Sequence, residues 1–215
     1  MKRIGGFCLV FFLSLLAGLP ANWLLAPVAA EGVCGTVWQG QAQRLGQAGP
    51  VAWHWQPWRL QAQVELGFQG QSWQLKVAGW PWNWHAAVEP VQRTLTMPAS
   101  YRLTGEWTGR IEVQGSGRQC RTSRGEIAGG NLALVAPWSV PLGAGRVRVD
   151  CSSGLHLLAH LQLQGQHRFE LDADLRQRRG RLQGAVEPSA TLAPVLLSAQ
   201  WLKPDDSRLS RTLKW

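Results

Sequence analysis

Charge is scarce in this 215-residue chain, where Asp, Glu, Lys and Arg make up 16% of the residues. Helices draw heavily on Glu, Lys and Ala, so this scarcity, beside 24 Gly and 13 Trp, points to short strands joined by tight turns and an all-β fold. No fixed-period repeat, low-complexity tract or linker divides the chain, which leaves room for one domain with a substantial core. Reactive signatures are missing as well. There is no Gly-x-Ser-x-Gly, no phosphate-cradling loop opening a helix and no Cys-x-x-Cys pair, so hydrolase, nucleotide-binding and dithiol chemistry have no foothold.

One long apolar run is present. After Met1-Lys2-Arg3 the chain carries no charge from Ile4 to Ala30, and its densest apolar part is Ile4 to Leu19. A bilayer core needs about 20 helical residues, so this run is long enough to span one. Lys2 and Arg3 precede it and the next basic residue is Arg44, an asymmetry that keeps the N-terminus in the cytoplasm and places residues 31–215 across the membrane. The alternative is a cleaved signal peptide, because Val28-Ala29-Ala30 has the small residues a signal peptidase accepts. The run exceeds the usual signal core of about 7–15 residues, which favours an uncleaved anchor in a bacterial inner membrane with a periplasmic domain behind it. No later segment is apolar enough to span again.

With Lys2 and Arg3 set aside, 20 basic and 13 acidic residues remain, a net charge of +7. Nucleic-acid binding would gather these charges into a stripe. Here the arginines are scattered, with "LRQRRGR" at 175–181 the one dense run, read as a solvated strand end and turn. Of four cysteines, Cys8 lies inside the apolar run and reads as a small apolar filler. Cys120 and Cys151 lie in the exported part, where oxidation is available, and a disulfide between them would stabilise by roughly 3–4 kcal/mol. Cys34 is then left over, and burial is its expected state.

Alternation of period two marks the strands. Leu60, Ala62, Val64, Leu66 and Phe68 form one face, Gly70-Gln71 breaks the pattern, and Trp73, Leu75 and Val77 resume it, which predicts a hairpin. Trp107, Ile111 and Val113 share a face of a strand over 107–113. Leu132 and Leu134 mark a shorter strand, and Val147, Val149 and Cys151 alternate with Arg146, Arg148 and Asp150. Leu155 to Leu163 and Phe169 to Leu175 form a second hairpin about Gly165-Gln166. "TLAPVLLSAQWL" (191–202) crowds apolar residues at every position and predicts a short helix near Pro194. Pro81, Pro90, Pro98, Pro137 and Pro141 are expected between strands.

Few side chains suggest chemistry. His156 and His160 have the i, i+4 spacing of a helical zinc motif but sit in an alternating strand without the adjacent Glu, so solvated histidines are expected. Asp172 and Asp174 share a face with Glu170 and Arg176, which reads as an ordinary soluble surface. His54 and His85 lie in the clusters "WHWQPW" and "WPWNWH". Core packing or a membrane interface is the expected role of those tryptophans, ahead of a sugar or choline site. An enzyme would need His54, His85 and Asp150 to converge, and nothing in the spacing requires it.

Taken in order, several blocks resemble the type II secretion system protein N family. They are the basic start and apolar run ending at Pro20-Ala21, Gly35-Thr36-Val37-Trp38-Gln39-Gly40-Gln41-Ala42, "VAWHWQPWRL" (51–60), "LTGEWTGRIEV" (103–113), "CRTSRGEIAGGNLALVAP" (120–137) and "LGAGRVRVDCSSGLHLLAHLQLQGQHRFELDADL" (142–175). Cys120 with Gly125, and Cys151 with Gly154, match the family's paired-cysteine pattern. The end, "WLKPDDSRLSRTLKW", departs from it and leaves the role of a C-terminal strand open. The resemblance implies a single-pass inner-membrane protein with a twisted β-sandwich or β-groove domain at 31–215, part of the platform that exports folded proteins across the outer membrane. It implies a scaffold without catalysis, metal or cofactor, whose partners are other platform proteins. Gly35, Thr36, Val37, Trp38 and Gly40 would carry the family motif, and Trp53, Trp55 and Trp58 would face the membrane or a partner. The family is also similar to AsmA-type anchored β-groove proteins, which implies lipid carriage as the alternative.

Overall fold

A computed structural model describes residues 14, 18–25, 29–46, 48–91, 102–136, 139–204 and 206–215. The elements in chain order are α1 (Ala21–Leu25), β1 (Ala30–Glu31), β2 (Cys34–Gly35), β3 (Gln39–Ala42), β4 (Arg44–Leu45), β5 (Val51–Gln56), β6 (Gln61–Phe68), β7 (Gln71–Trp80), β8 (Asn83–Val91) and β9 (Arg102–Gly109). There follow β10 (Ile111–Ser116), β11 (Gln119–Arg124), β12 (Ile127–Ala136), β13 (Val140–Asp150), β14 (His156–Leu163), β15 (His167–Asp174), β16 (Arg179–Val186), α2 (Ala193–Ser198) and β17 (Arg208–Lys214). The fold is all-β, as the composition predicts. Most of the expected anchor at 4–30 lies outside the described residues, and among those described no helix is long and apolar enough to cross a membrane.

Two antiparallel sheets hold nearly all the strands. The first has eight in the order β11-β10-β8-β7-β6-β5-β3-β2, and the second has seven in the order β17-β16-β15-β14-β13-β12-β9. Both predicted hairpins form, β6 with β7 and β14 with β15, because strict alternation fixes both the face and the register. The predicted helix forms as α2, with Pro194 in its first turn, where a missing N–H costs nothing.

The stretch 107–113 is a correction. It is predicted as one strand, but β9 belongs to the second sheet and β10 to the first, and the chain changes sheets at Gly109-Arg110. Its partner does the same at Gly125-Glu126, between β11 and β12. Two long strands therefore bend together, at glycines with φ of 100° and 80°. A Cβ on Gly109 would run into the carbonyl oxygen of Glu126, and one on Gly125 into that of Arg110. Alternation survives the bend, since Trp107, Ile111 and Val113 all reach the same core. That is why the change of sheet leaves no mark in the pattern.

The core at this corner joins Ile111 and Val113 of the first sheet to Ile127, Val147 and Val149 of the second. Trp73 and Trp107 meet edge-on across it, with ring centroids 5.4 Å apart. The Cys120–Cys151 disulfide ties β11 to the end of β13 with a Cα separation of 5.3 Å. Beside it, the Ser123 hydroxyl donates to the Val149 carbonyl at 2.7 Å. A second cluster, built on Val140, Phe169, Val186, Leu192 and Leu209, places α2 against the second sheet.

Other expectations need adjusting. Pro90 and Pro141 lie inside β8 and β13 rather than between strands. Pairing of β8 with β10 covers Trp84 to Val88, and pairing of β13 with β14 begins at Ala144, so each proline sits where its strand has a single neighbour. Pro81 is in a turn as expected, while Pro98 and Pro137 lie outside the described residues. The Leu132–Leu134 strand is ten residues long, 127–136, with Asn131 at a bulge. Phe68 is exposed where it was expected inside, because Gly67 takes the buried position at the end of β6. The divergent C-terminal stretch forms β17, paired over its whole length with β16, and buries Leu209.

Candidate functional site

The stretch opening the first sheet is a joint. Gly35 has φ 98°, and a Cβ there would strike the Gln39 carbonyl oxygen. The backbone N–H of Gln39 donates to Thr36 Oγ1 at 3.3 Å, closing the β2–β3 turn. Gly40 lies under the Trp53 ring, which any Cβ would displace, and Trp53 Nε1 donates to the Thr36 carbonyl at 3.0 Å. Val37 donates its backbone N–H to the Leu19 carbonyl at 3.0 Å, and Pro20 bridges to Thr36. Gly35, Thr36, Val37 and Gly40 thus fasten the end of the apolar N-terminal stretch to the sheet. Trp38 is half-buried, its ring tilted by 35° against that of Trp55 with centroids 5.1 Å apart. Cys34, expected buried, is exposed, since β2 is a two-residue edge strand that pairs on one side with β3.

The three tryptophans expected to make contacts divide. Trp53 is tied down as described, whereas Trp55 is 42% and Trp58 76% exposed. The register adds two that sequence reasoning left in a general cluster. Gln56 faces Gln61, Gln61 faces Ala78, and Trp80 faces Asn83, so the β5–β6 and β7–β8 connections share one end of the sheet. Trp80 and Trp82 stack there, with centroids 4.9 Å apart and planes 11° apart, and are 53% and 63% exposed. Gly117 of the β10–β11 turn donates its N–H to the Pro81 carbonyl, and Trp84 Nε1 donates to the Gly117 carbonyl, which fixes the rim between these turns. The sequence signal was "WPWNW" at a turn, legible as a cluster but not as a neighbour of Trp58.

A second feature is an apolar groove of about 350 Å³ on the second sheet. Leu103, Trp107, Leu132, Leu161, Phe169, Leu182 and Leu209 line it from all seven strands together with Leu142 and Ala159, and Leu196 and Trp201 close one side. Trp107 carries a buried indole N–H with no acceptor among the described residues. Arg146 and His160 are the charged or titratable members of the lining.

The histidines do not assemble a reactive centre. His54 lies on β5 against Gln56, His85 lies on β8 with β6 and β7 between them, and Asp150 is on the other sheet. His156 and His160, expected solvated, each face a carboxylate across the β14–β15 ladder. His156 Nδ1 lies 2.8 Å from Asp172 Oδ1 and His160 Nδ1 lies 3.7 Å from Glu170 Oε1. The hydrogen bond to Asp172 raises the His156 pKa above its ordinary value. Asp174 caps the following turn through the N–H groups of Arg176 and Gln177, which holds its carboxyl below the usual range. No group of three or more metal-ligating side chains occurs among the described residues.

His167 is different, being buried beside the groove with Nε2 at 3.2 Å from the Leu142 carbonyl and Nδ1 unpartnered. The bond requires the proton on Nε2, so protonation would put a second N–H in the interior with no acceptor. Burial accordingly lowers its pKa. The folded state then binds fewer protons than the unfolded state as pH falls through about 6.5, and stability drops until the pH passes below the folded value. The His156–Asp172 pair works in the opposite sense, strengthening toward low pH. His167→Gln keeps a donor for Leu142 and should flatten the acid side of a melting-temperature profile between pH 7.5 and 5. An unchanged profile would show that His167 is not the acid-sensitive group.

No curated protein and no solved structure shows a significant match to the chain. A family profile does match. The blocks that order the sequence, from the β2–β3 joint through the paired cysteines to α2, fall inside a match to "Type II secretion system (T2SS), protein N" over residues 26–203, and the chain belongs to that family.

Proposed function

We propose that this protein is a non-enzymatic scaffold of the type II secretion apparatus, held in the inner membrane by the apolar segment that leads up to Leu19 and Pro20, with its β domain in the periplasm. The family match over most of the chain is the observation that carries this reading. The Cys120–Cys151 disulfide supports an oxidising compartment, and the basic start at Lys2-Arg3 supports an N-terminus left in the cytoplasm. Scaffolding would use unpaired strand edges. β17 ends the second sheet, and an extended segment of a platform protein adding beside it would gain main-chain hydrogen bonds. Deleting the gene should impair platform assembly and the export of folded substrates. Normal assembly together with normal export of every substrate would sink the reading.

A second reading is favoured by one observation. The groove is open and apolar, as lipid carriage demands. Protein purified from membranes should then release lipid on organic extraction, and Leu171→Arg in the groove wall should abolish it. Lipid-free wild-type protein would remove this reading.

A further inference from the structure

Four connections meet at one end of the first sheet: residues 36–38, 57–60, 81–82 and 117–118. Trp55, Trp58, Trp80 and Trp82 stand exposed along this rim. Arg59 and Arg118 lie in the same turns, and no Asp or Glu occurs in residues 33–64, 75–88 or 113–125. The apolar N-terminal stretch arrives at this same end, through the contacts of Leu19 and Pro20 with Val37 and Thr36. Trp23, on α1 beside that joint, is exposed too.

Exposed tryptophan at this density is costly in water. Indole rings favour the headgroup zone of a bilayer, where the ring body leaves water and the N–H stays wet. Arginines in turns that hold no acidic residue of their own add attraction to anionic headgroups within a Debye length. We propose that this rim, Trp55, Trp58, Trp80 and Trp82 with Arg59 and Arg118, seats in the headgroup region of an anionic phospholipid bilayer and sets the first sheet upright on the membrane. The inference rests on the membrane-anchored reading above and adds an orientation to it. Chain continuity selects the occupant, since the joint brings the spanning segment to the rim.

The test uses the full chain in vesicles of phosphatidylethanolamine and phosphatidylglycerol, part of whose acyl chains are brominated near the carbonyl. Bromine quenches indole emission only at short range. Wild-type emission should be quenched, and the loss of rim indoles in W58A/W80A/W82A should cut that quenching by roughly half, leaving Trp23 and Trp55 as the remaining interfacial indoles. R59Q/R118Q, or replacement of phosphatidylglycerol by phosphatidylcholine, should weaken it in the same direction. These residues are exposed, so melting temperatures should match the wild type. Resistance to carbonate extraction reports the apolar segment separately, so extraction with quenching intact would fail the anchor and keep the rim. Equal quenching in wild type and the triple variant would overturn the proposal. So would hydrogen-exchange protection of residues 57–59 and 80–82 that appears only when other secretion components are added, which would assign the rim to a protein partner.

Discussion

Gly125→Ala should lower the free energy of unfolding by about 2–4 kcal/mol, combining a non-glycine residue at positive φ with a collision in a packed site. For a chain of this size that amounts to a fall of roughly 5–15 °C in melting temperature. The cause is geometric. Gly125 has φ 80° and its added Cβ would meet the Arg110 carbonyl oxygen, while Gly109 on the facing strand has φ 100° and meets that of Glu126. Backbone is on the receiving side in both cases, so no side-chain rotation relieves the clash. Relief would require opening the bend that carries both strands from one sheet to the other, with Ile111, Ile127 and the Trp73–Trp107 contact around it. Gly117→Ala is the control, because Gly117 has φ 56° but open space where the Cβ would go. It should cost about 1 kcal/mol, the conformational part alone. Equal losses at 117 and 125 would mean that the collision is not what makes the corner glycine necessary.

Removing the disulfide should have a comparable effect by another route. Cys120→Ser with Cys151→Ser frees a loop closed over 31 residues and should destabilise by about 2–5 kcal/mol, read as a lower urea midpoint. Here the unfolded chain is the state that changes most, since the crosslink restricts it. The folded state changes too, because the bond joins the edge strand β11 to the other sheet, where the Ser123–Val149 hydrogen bond also links the two. Ser123→Ala should therefore cost more in the disulfide-free background than in the wild type, where about 1 kcal/mol is expected. Cys34→Ser should leave the midpoint unchanged, because Cys34 is exposed and free. A double-serine variant as stable as the wild type would show that packing at Ile111, Val113 and Ile127 suffices to hold the sheets together.

Alternation by itself determined the hairpins at β6–β7 and β14–β15, since a period of two assigns every side chain to a face and a slip of one residue would invert them all. Composition determined the all-β class, Pro194 marked α2, and the spaced cysteines marked the disulfide. The order of blocks from Gly35 to Cys151 pointed to the family. Tertiary structure alone decided the rest. Alternation says which face a residue takes but not which sheet owns the strand, so the passage from β9 to β10 was invisible until pairing assigned them different neighbours. Cys34 looked like a core residue because burial depends on a strand's place in the sheet, and β2 is a two-residue edge strand whose residues are exposed. Trp58 and Trp82 are distant in sequence, and they share a rim only because the registers of β5 to β8 bring their turns to the same end.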